Sequence, residues 1–209
     1  MNYYFIACRT GGEEKVRAHL NKFFERELGD LCDVLVYIPL RRMIDRRKGK
    51  KIMTDHPILP GYLLVSSENS LSDYRVDIHR IAGCYGFLKN LNNTIELQGS
   101  DAAYAAWIMH NKGTIKPSKA VFKKGEPIII IEGPMKDFMG TIVSVDYRHS
   151  RALVEFEFAQ VIRRVNMPVE FIATEPAFGL SRTRLHTSRL VLSSVYPHLL
   201  DSTQCFLPL

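Results

Sequence analysis

Residues 128–172 leave little room for helix. Four consecutive isoleucines at 128–131 run straight into Glu132-Gly133-Pro134, and the apolar pattern restarts after Gly140 as Thr-Ile-Val-Ser-Val-Asp-Tyr. β-Branched side chains are stiff at χ1 and pack best on a pleated surface. Gly133-Pro134 forces a turn, and Gly140 supplies either a positive φ or a close backbone approach. ALVEFEF, VIRRV and PVEFIA follow with the same alternation. Short strands separated by glycine or polar turns within so few residues predict a small β-barrel over 121–175, its core capped by Phe138.

The first half has a different texture. Residues 3–8 are a short apolar strand, broken by Thr10-Gly11-Gly12. A helix follows, with Val16, Leu20, Phe23, Phe24 and Leu28 at helical spacing, Glu13 and Glu14 in its favoured first turn, and Gly29 just past its end. Strands are expected at 34–39, after the Pro60-Gly61 corner, and at 85–88. Two basic arms meet at a turn at 48–50, a short helix starts behind Ser70 and Asp73, and an alanine-rich helix opens at Ser100. This reads as an α+β fold: an N-terminal α/β sandwich over 1–110 with helices on a mostly antiparallel sheet, followed by the barrel. Residues 111–120, NKGTIKPSKA, read as a linker, and 176–209 as a tail of unassigned role.

Composition narrows the function classes. At 46% hydrophobic the chain is not wholly disordered. Its net charge of +6 matches the excess in residues 41–51 alone, where seven cations face the single acid Asp45. No secretory leader is read at the N-terminus, and no apolar stretch approaches the roughly 18 residues of a membrane helix, so a cytoplasmic protein without membrane contact is expected. The four cysteines, Cys8, Cys32, Cys84 and Cys205, form no C-x-x-C pair, which suggests free thiols rather than a zinc site. There is no phosphate-binding glycine loop, G-x-S-x-G or H-E-x-x-H, and Asp55-His56 reads as a turn rather than a general base. The expectation is a non-enzyme without cofactor or metal.

The segment GEPIIIIEGPMKDFMGTIVSVDY is similar to the KOW motif of the NusG family of transcription elongation factors. YYFIACRTGGEEKVRAHL resembles the opening of that family's NGN domain, LPGYLLV its Phe-Pro-Gly-Tyr strand, and IHRIAGCYGFL its segment ending Pro-Gly-Val-x-Gly-Phe. The resemblance covers residues 3 to about 173. It departs at Tyr3-Tyr4, which replace a tryptophan, at Leu59 for phenylalanine, and at Ala82 for proline. It implies an NGN domain and an SH3-like KOW barrel, and docking on bacterial RNA polymerase through an apolar depression. The residues that carry over are Tyr4, Leu59, Pro60 and Tyr62; Tyr62 as half-buried core is the plainer reading.

Arg41, Arg42, Arg46, Arg47, Lys48, Lys50 and Lys51 are dense enough to track the phosphates of nascent RNA or of bubble DNA, or else form a solvated hairpin face. Lys123, Lys124, Lys136, Arg148, Arg151, Arg163 and Arg164 are candidates for one cationic rim on the barrel. The family's Phe-Gly-Arg loop, which binds Rho or a ribosomal protein, is replaced by FAQVIRRVNMPVEF. That change implies a specialised paralogue such as LoaP, a monomeric processive antiterminator. A housekeeping factor coupling polymerase to Rho and the ribosome, and a ribosome-associated KOW protein that binds RNA, are the alternatives.

Overall fold

The computed structural model describes residues 1–47, 49–89, 93–121 and 127–172. The N-terminal elements are β1 (Asn2–Cys8), α1 (Glu13–Leu28), β2 (Leu35–Tyr37), β3 (Leu40–Arg47), β4 (Lys50–Pro57), β5 (Tyr62–Ser67), α2 (Arg75–His79), β6 (Cys84–Phe87) and α3 (Gly99–His110). Then come β7 (Thr114–Ile115), β8 (Ser118–Val121), β9 (Ile129–Glu132), β10 (Thr141–Asp146), β11 (Arg151–Phe158) and β12 (Val161–Ile172). The fold is α+β, and among the described residues the α-helices lie in the N-terminal part.

The N-terminal sheet is antiparallel, in the order β2-β5-β1-β6, with Phe5 opposite Leu64 and Tyr4 opposite Val65. Alternation sends Tyr4, Ile6 and Cys8 to one face, where Val16, Leu20 and Phe24 of α1 cover them. Phe5 and Leu64 point to the other face, where Tyr104, Ala105 and Ile108 of α3 pack. With both faces covered, β1 and β5 read as nearly continuous apolar runs. Each fully buried side chain contributes about 1.5–3 kcal/mol.

Residues 111–120 are not a loose tether. β7 runs parallel to β3, pairing Leu40 with Thr114 and Arg41 with Ile115, and Leu40 N donates to Gly113 O at 2.8 Å. β8 joins the barrel between β12 and β9, so only Lys116 and Pro117 separate the last strand attached to one unit from the first of the other. Gly113 has φ +76°, and a Cβ there would lie 2.7 Å from the Tyr37 ring. That contact is invisible in a polar, glycine-containing string.

The barrel sheet runs β10-β11-β12-β8-β9. Ala152, Val154, Phe156 and Phe158 alternate inward along β11 and meet Val165 and Met167 of β12. Gly140 serves close approach, since a Cβ there would meet the Phe138 ring at 2.4 Å; Gly133 takes the positive φ, +104°. Phe138 caps the barrel but also faces outward to α3, and the core continues without a break from the barrel to Phe5, Ile58, Leu59 and Leu64 of the N-terminal sheet.

Candidate functional site

The corner before β5 is held from three sides. Cys8 N donates to Gly61 O at 2.8 Å, and Gly61 N donates to Glu13 Oε1 at 2.8 Å. Tyr62 N donates to Leu59 O at 3.2 Å. Glu13 is buried despite its charge, and Gly61 takes φ +82° where a Cβ would lie 2.9 Å from Thr10 Oγ1. No local pattern marks Glu13 as more than a first-turn acid. The corner leaves Pro60 exposed, Leu59 buried, and Tyr62 half-buried with its ring edge-on to Phe5 at 6.4 Å.

Tyr4 is elsewhere. It is fully buried on the opposite, α1-covered face; its hydroxyl donates to Glu96 Oε1 and accepts from Leu71 N, both at 3.2 Å, and burial pushes its pKa up. The expectation of a docking contact from Tyr4 is therefore corrected: period-two alternation assigns Phe5, not Tyr4, to the face that carries Leu59 and Tyr62.

The barrel's own aromatics lie over that face. Phe158 packs edge-on against Phe5 at 4.8 Å, Phe156 stacks on Tyr104 at 4.8 Å, and Phe138 meets Trp107 at 4.6 Å. Polar ties frame the seam. Trp107 Nε1 donates to Pro134 O at 2.8 Å, Arg41 Nη1 to Asn166 O at 2.8 Å, Arg151 Nη2 to Asp45 Oδ1 at 2.8 Å, and Ala159 N to Asp101 Oδ1 at 3.1 Å. Burial, then the neighbouring Arg151, lowers the pKa of Arg41. Sequence reasoning gave Phe138, Arg41 and Arg151 other roles and missed the seam, because alternation signals that Phe156 and Phe158 are buried without saying against what.

The predicted cations divide. Arg42 makes a two-pronged bond to its cross-strand partner Asp55, at 2.8 and 2.9 Å, so Asp55 is in a strand rather than a turn. Arg41 is drawn into the seam. At the tip of the β3–β4 ribbon the backbone register pairs Arg46 with Lys51 and Arg47 with Lys50, and Lys50 and Lys51 are exposed. Lys48, Lys123 and Lys124 lie outside the described residues.

On the barrel, Lys136 and Arg148 are exposed, but Arg151 is tied to Asp45 and Arg164 donates to Glu155 Oε2 at 2.8 Å. Arg163 is the register partner of Phe156, and so lies on the inward face. Among the described residues, Arg151 and Arg163 are thus drawn away from a shared rim, while Lys136, Arg148 and Arg164 stay exposed.

Asp45 also accepts from Thr54 Oγ1 and lies 3.2 Å from His56 Nε2. These two contacts, then Arg151, hold its carboxyl below the usual range. Among the described residues no group of three or more His, Cys, Asp or Glu is arranged to hold a metal, and no helix is long and apolar enough to cross a membrane.

Comparison with known proteins fits this architecture. Proteins described as "Transcription termination/antitermination protein NusG" are similar along most of their length. That of Pseudomonas aeruginosa is 27% identical over 177 residues, 76% of this chain and 96% of the relative. Those of Neisseria meningitidis and Bacillus subtilis are each 26% identical, covering 76% and 77% of this chain and 96% and 97% of the relatives. The family model for NusG, described as "Transcription termination factor nusG", matches residues 1–104. The chain belongs to the NusG family. The solved structure titled "Domain interaction in Thermotoga maritima NusG" shares the NusG fold, with a TM-score of 0.52 at 19% identity over 80% of this chain and 93% of that one.

Proposed function

We propose that this NusG-family protein is a transcription elongation factor that docks on bacterial RNA polymerase through the sheet face bearing Phe5, Leu59, Pro60 and Tyr62, and acts as a processive antiterminator. The observation that carries the reading is the aromatic seam itself. The surface the family resemblance assigns to the polymerase is apolar, continuous and covered by Phe158, Phe156 and Phe138 of the chain's own barrel. The polymerase takes the barrel's place. The seam is suited to parting because Arg41 Nε, Arg151 Nε, Arg163 Nε and the Tyr104 hydroxyl are buried there or beside it without a hydrogen-bond partner. Each such group costs about 1–3 kcal/mol while buried.

The ribbon, whose sequence carries seven cations over residues 41–51, lies against nucleic acid, whose phosphates neutralise that concentrated charge. The antitermination reading is supported by Ile162-Arg163-Arg164 standing where the family's Phe-Gly-Arg resemblance fails. The names of the relatives, which couple termination with antitermination, support the housekeeping alternative. Purified polymerase decides the first point: Phe158→Ser is expected to raise capture severalfold over wild type, and Tyr62→Ala added to it to lower capture about tenfold. Equal capture by all three would refute the docking face. Rho-dependent termination assays separate the two roles, the antiterminator reducing termination and the housekeeping factor enhancing it.

A further inference from the structure

Cys8 ends β1 and Cys84 begins β6, and the two are register partners across the antiparallel pair. The hydrogen bonds place that pairing more closely. Arg9 N donates to Gly83 O at 2.9 Å, whereas Cys8 N is engaged by Gly61 O and Cys84 N by Ile81 O. The inter-strand bond therefore flanks the cysteines instead of joining them. This is the non-hydrogen-bonded kind of antiparallel pair, whose Cα atoms lie about 4.5 Å apart. A disulfide requires a Cα separation of about 4.4–6.8 Å, so the backbone already satisfies it.

Side-chain direction agrees. The register shift between Ala7 and Cys8 leaves Tyr85 as the extra residue of a bulge, which is exposed, while Cys8 and Cys84 both turn into the core under α1. Both are free thiols, 3% and 6% exposed. We propose that Cys8 and Cys84 form a redox-sensitive dithiol that closes to an intrachain disulfide, stapling the four-residue edge strand β6 to the centre of the N-terminal sheet.

The oxidant is a low-molecular-weight disulfide. One cysteine thiolate attacks its S–S bond, giving a mixed disulfide and releasing one small thiolate. The second cysteine thiolate attacks the protein sulfur of that bond and releases the other. Two protons leave the protein, and the electron pair ends on the two small thiols. Burial, the Glu13 carboxylate and Cys84 together push Cys8 up to about 11, and burial raises Cys84. The reduced pair is therefore guarded at neutral pH, and closure accelerates with pH, roughly tenfold per unit below that value.

The test uses the full chain carrying Cys32→Ser and Cys205→Ser, exposed to oxidised glutathione at pH 7.5 and pH 9. Expected are a loss of two hydrogen masses, a peptide joining residues 8 and 84, reversal by dithiothreitol, and a Tm raised by several degrees in the oxidised form. Adding Cys84→Ala leaves only a glutathione adduct. Unmodified thiols or stable adducts on the doubly free protein at pH 9 overturn the proposal, as does a crosslink that forms only in urea. Mass and peptide mapping on the protein that retains both cysteines decide the matter even if the Cys84→Ala chain fails to fold.

Discussion

Gln160→Gly should stabilise the protein. Phe158 and Val161 are register partners, so β11 and β12 are joined by the two-residue turn Ala159-Gln160, and both residues have positive φ, 50° and 60°. A two-residue hairpin turn with both central residues left-handed matches strand twist and favours Asn-Gly, because glycine has no Cβ to clash. A side chain other than glycine, asparagine or aspartate costs roughly 1–2 kcal/mol in that region. Gln160 is exposed, so its side chain contributes little packing. Against the relief stands the greater freedom of glycine in the unfolded chain, about 0.5–1 kcal/mol. The net expectation is a gain of about 0.5–1 kcal/mol, measured as a higher urea midpoint with unchanged slope. Gln160→Val, β-branched at the same φ, should lose more than about 1 kcal/mol. If the glycine variant were less stable than wild type while the valine variant matched it, the left-handed turn would be wrong.

Other perturbations probe the seam and its supports. Glu13→Ala strands the Gly61 N–H in a buried corner and should cost about 1–3 kcal/mol in urea unfolding, with Glu13→Gln recovering part of it. Gly113→Ala places a Cβ against Tyr37 at a left-handed φ, and should cost more than about 2 kcal/mol by the same assay. Arg151→Ala removes the tie to Asp45 and should redden the emission of Trp107, the chain's one tryptophan, which the seam shields.

The acid limb has a definite sign. The Asp45 carboxyl is depressed in the folded state by Thr54, His56 and Arg151, so its contribution is complete above its unfolded value of about 4 and is lost as pH falls through the lower folded value. Asp45→Asn should flatten that part of the Trp107 titration.

The barrel was legible because β-branched alternation is a local property: Ile128 and Ile130 inward, Ile129 and Ile131 outward, as a pleat requires. The N-terminal sandwich was legible for the same reason, through the spacing of Val16, Leu20 and Phe24. Position along a strand fixes only that neighbours oppose one another, so Tyr4 and Phe5 were distinguishable as a pair but not by face. The seam lay beyond reach because Tyr104, Phe138 and Phe158 advertise burial, and the partner surface is set by tertiary contact. Charge was visible as a cluster over 41–51, whereas the pairing that removes Arg42 involves Asp55 across a hairpin, and Arg41 bonds a backbone carbonyl at Asn166. Polar composition at 111–120 concealed strands whose bonds are made by backbone.

Because only Lys116 and Pro117 lie between β7 and β8, the barrel is on a very short leash. Two residues span about 7 Å at full stretch, less than the thickness of one packed sheet layer. A wide swing must peel Thr114-Ile115 from Leu40-Arg41, the base of the cationic ribbon. Ribbon and barrel are thus geared together, and a pull on either is felt at the root of the other.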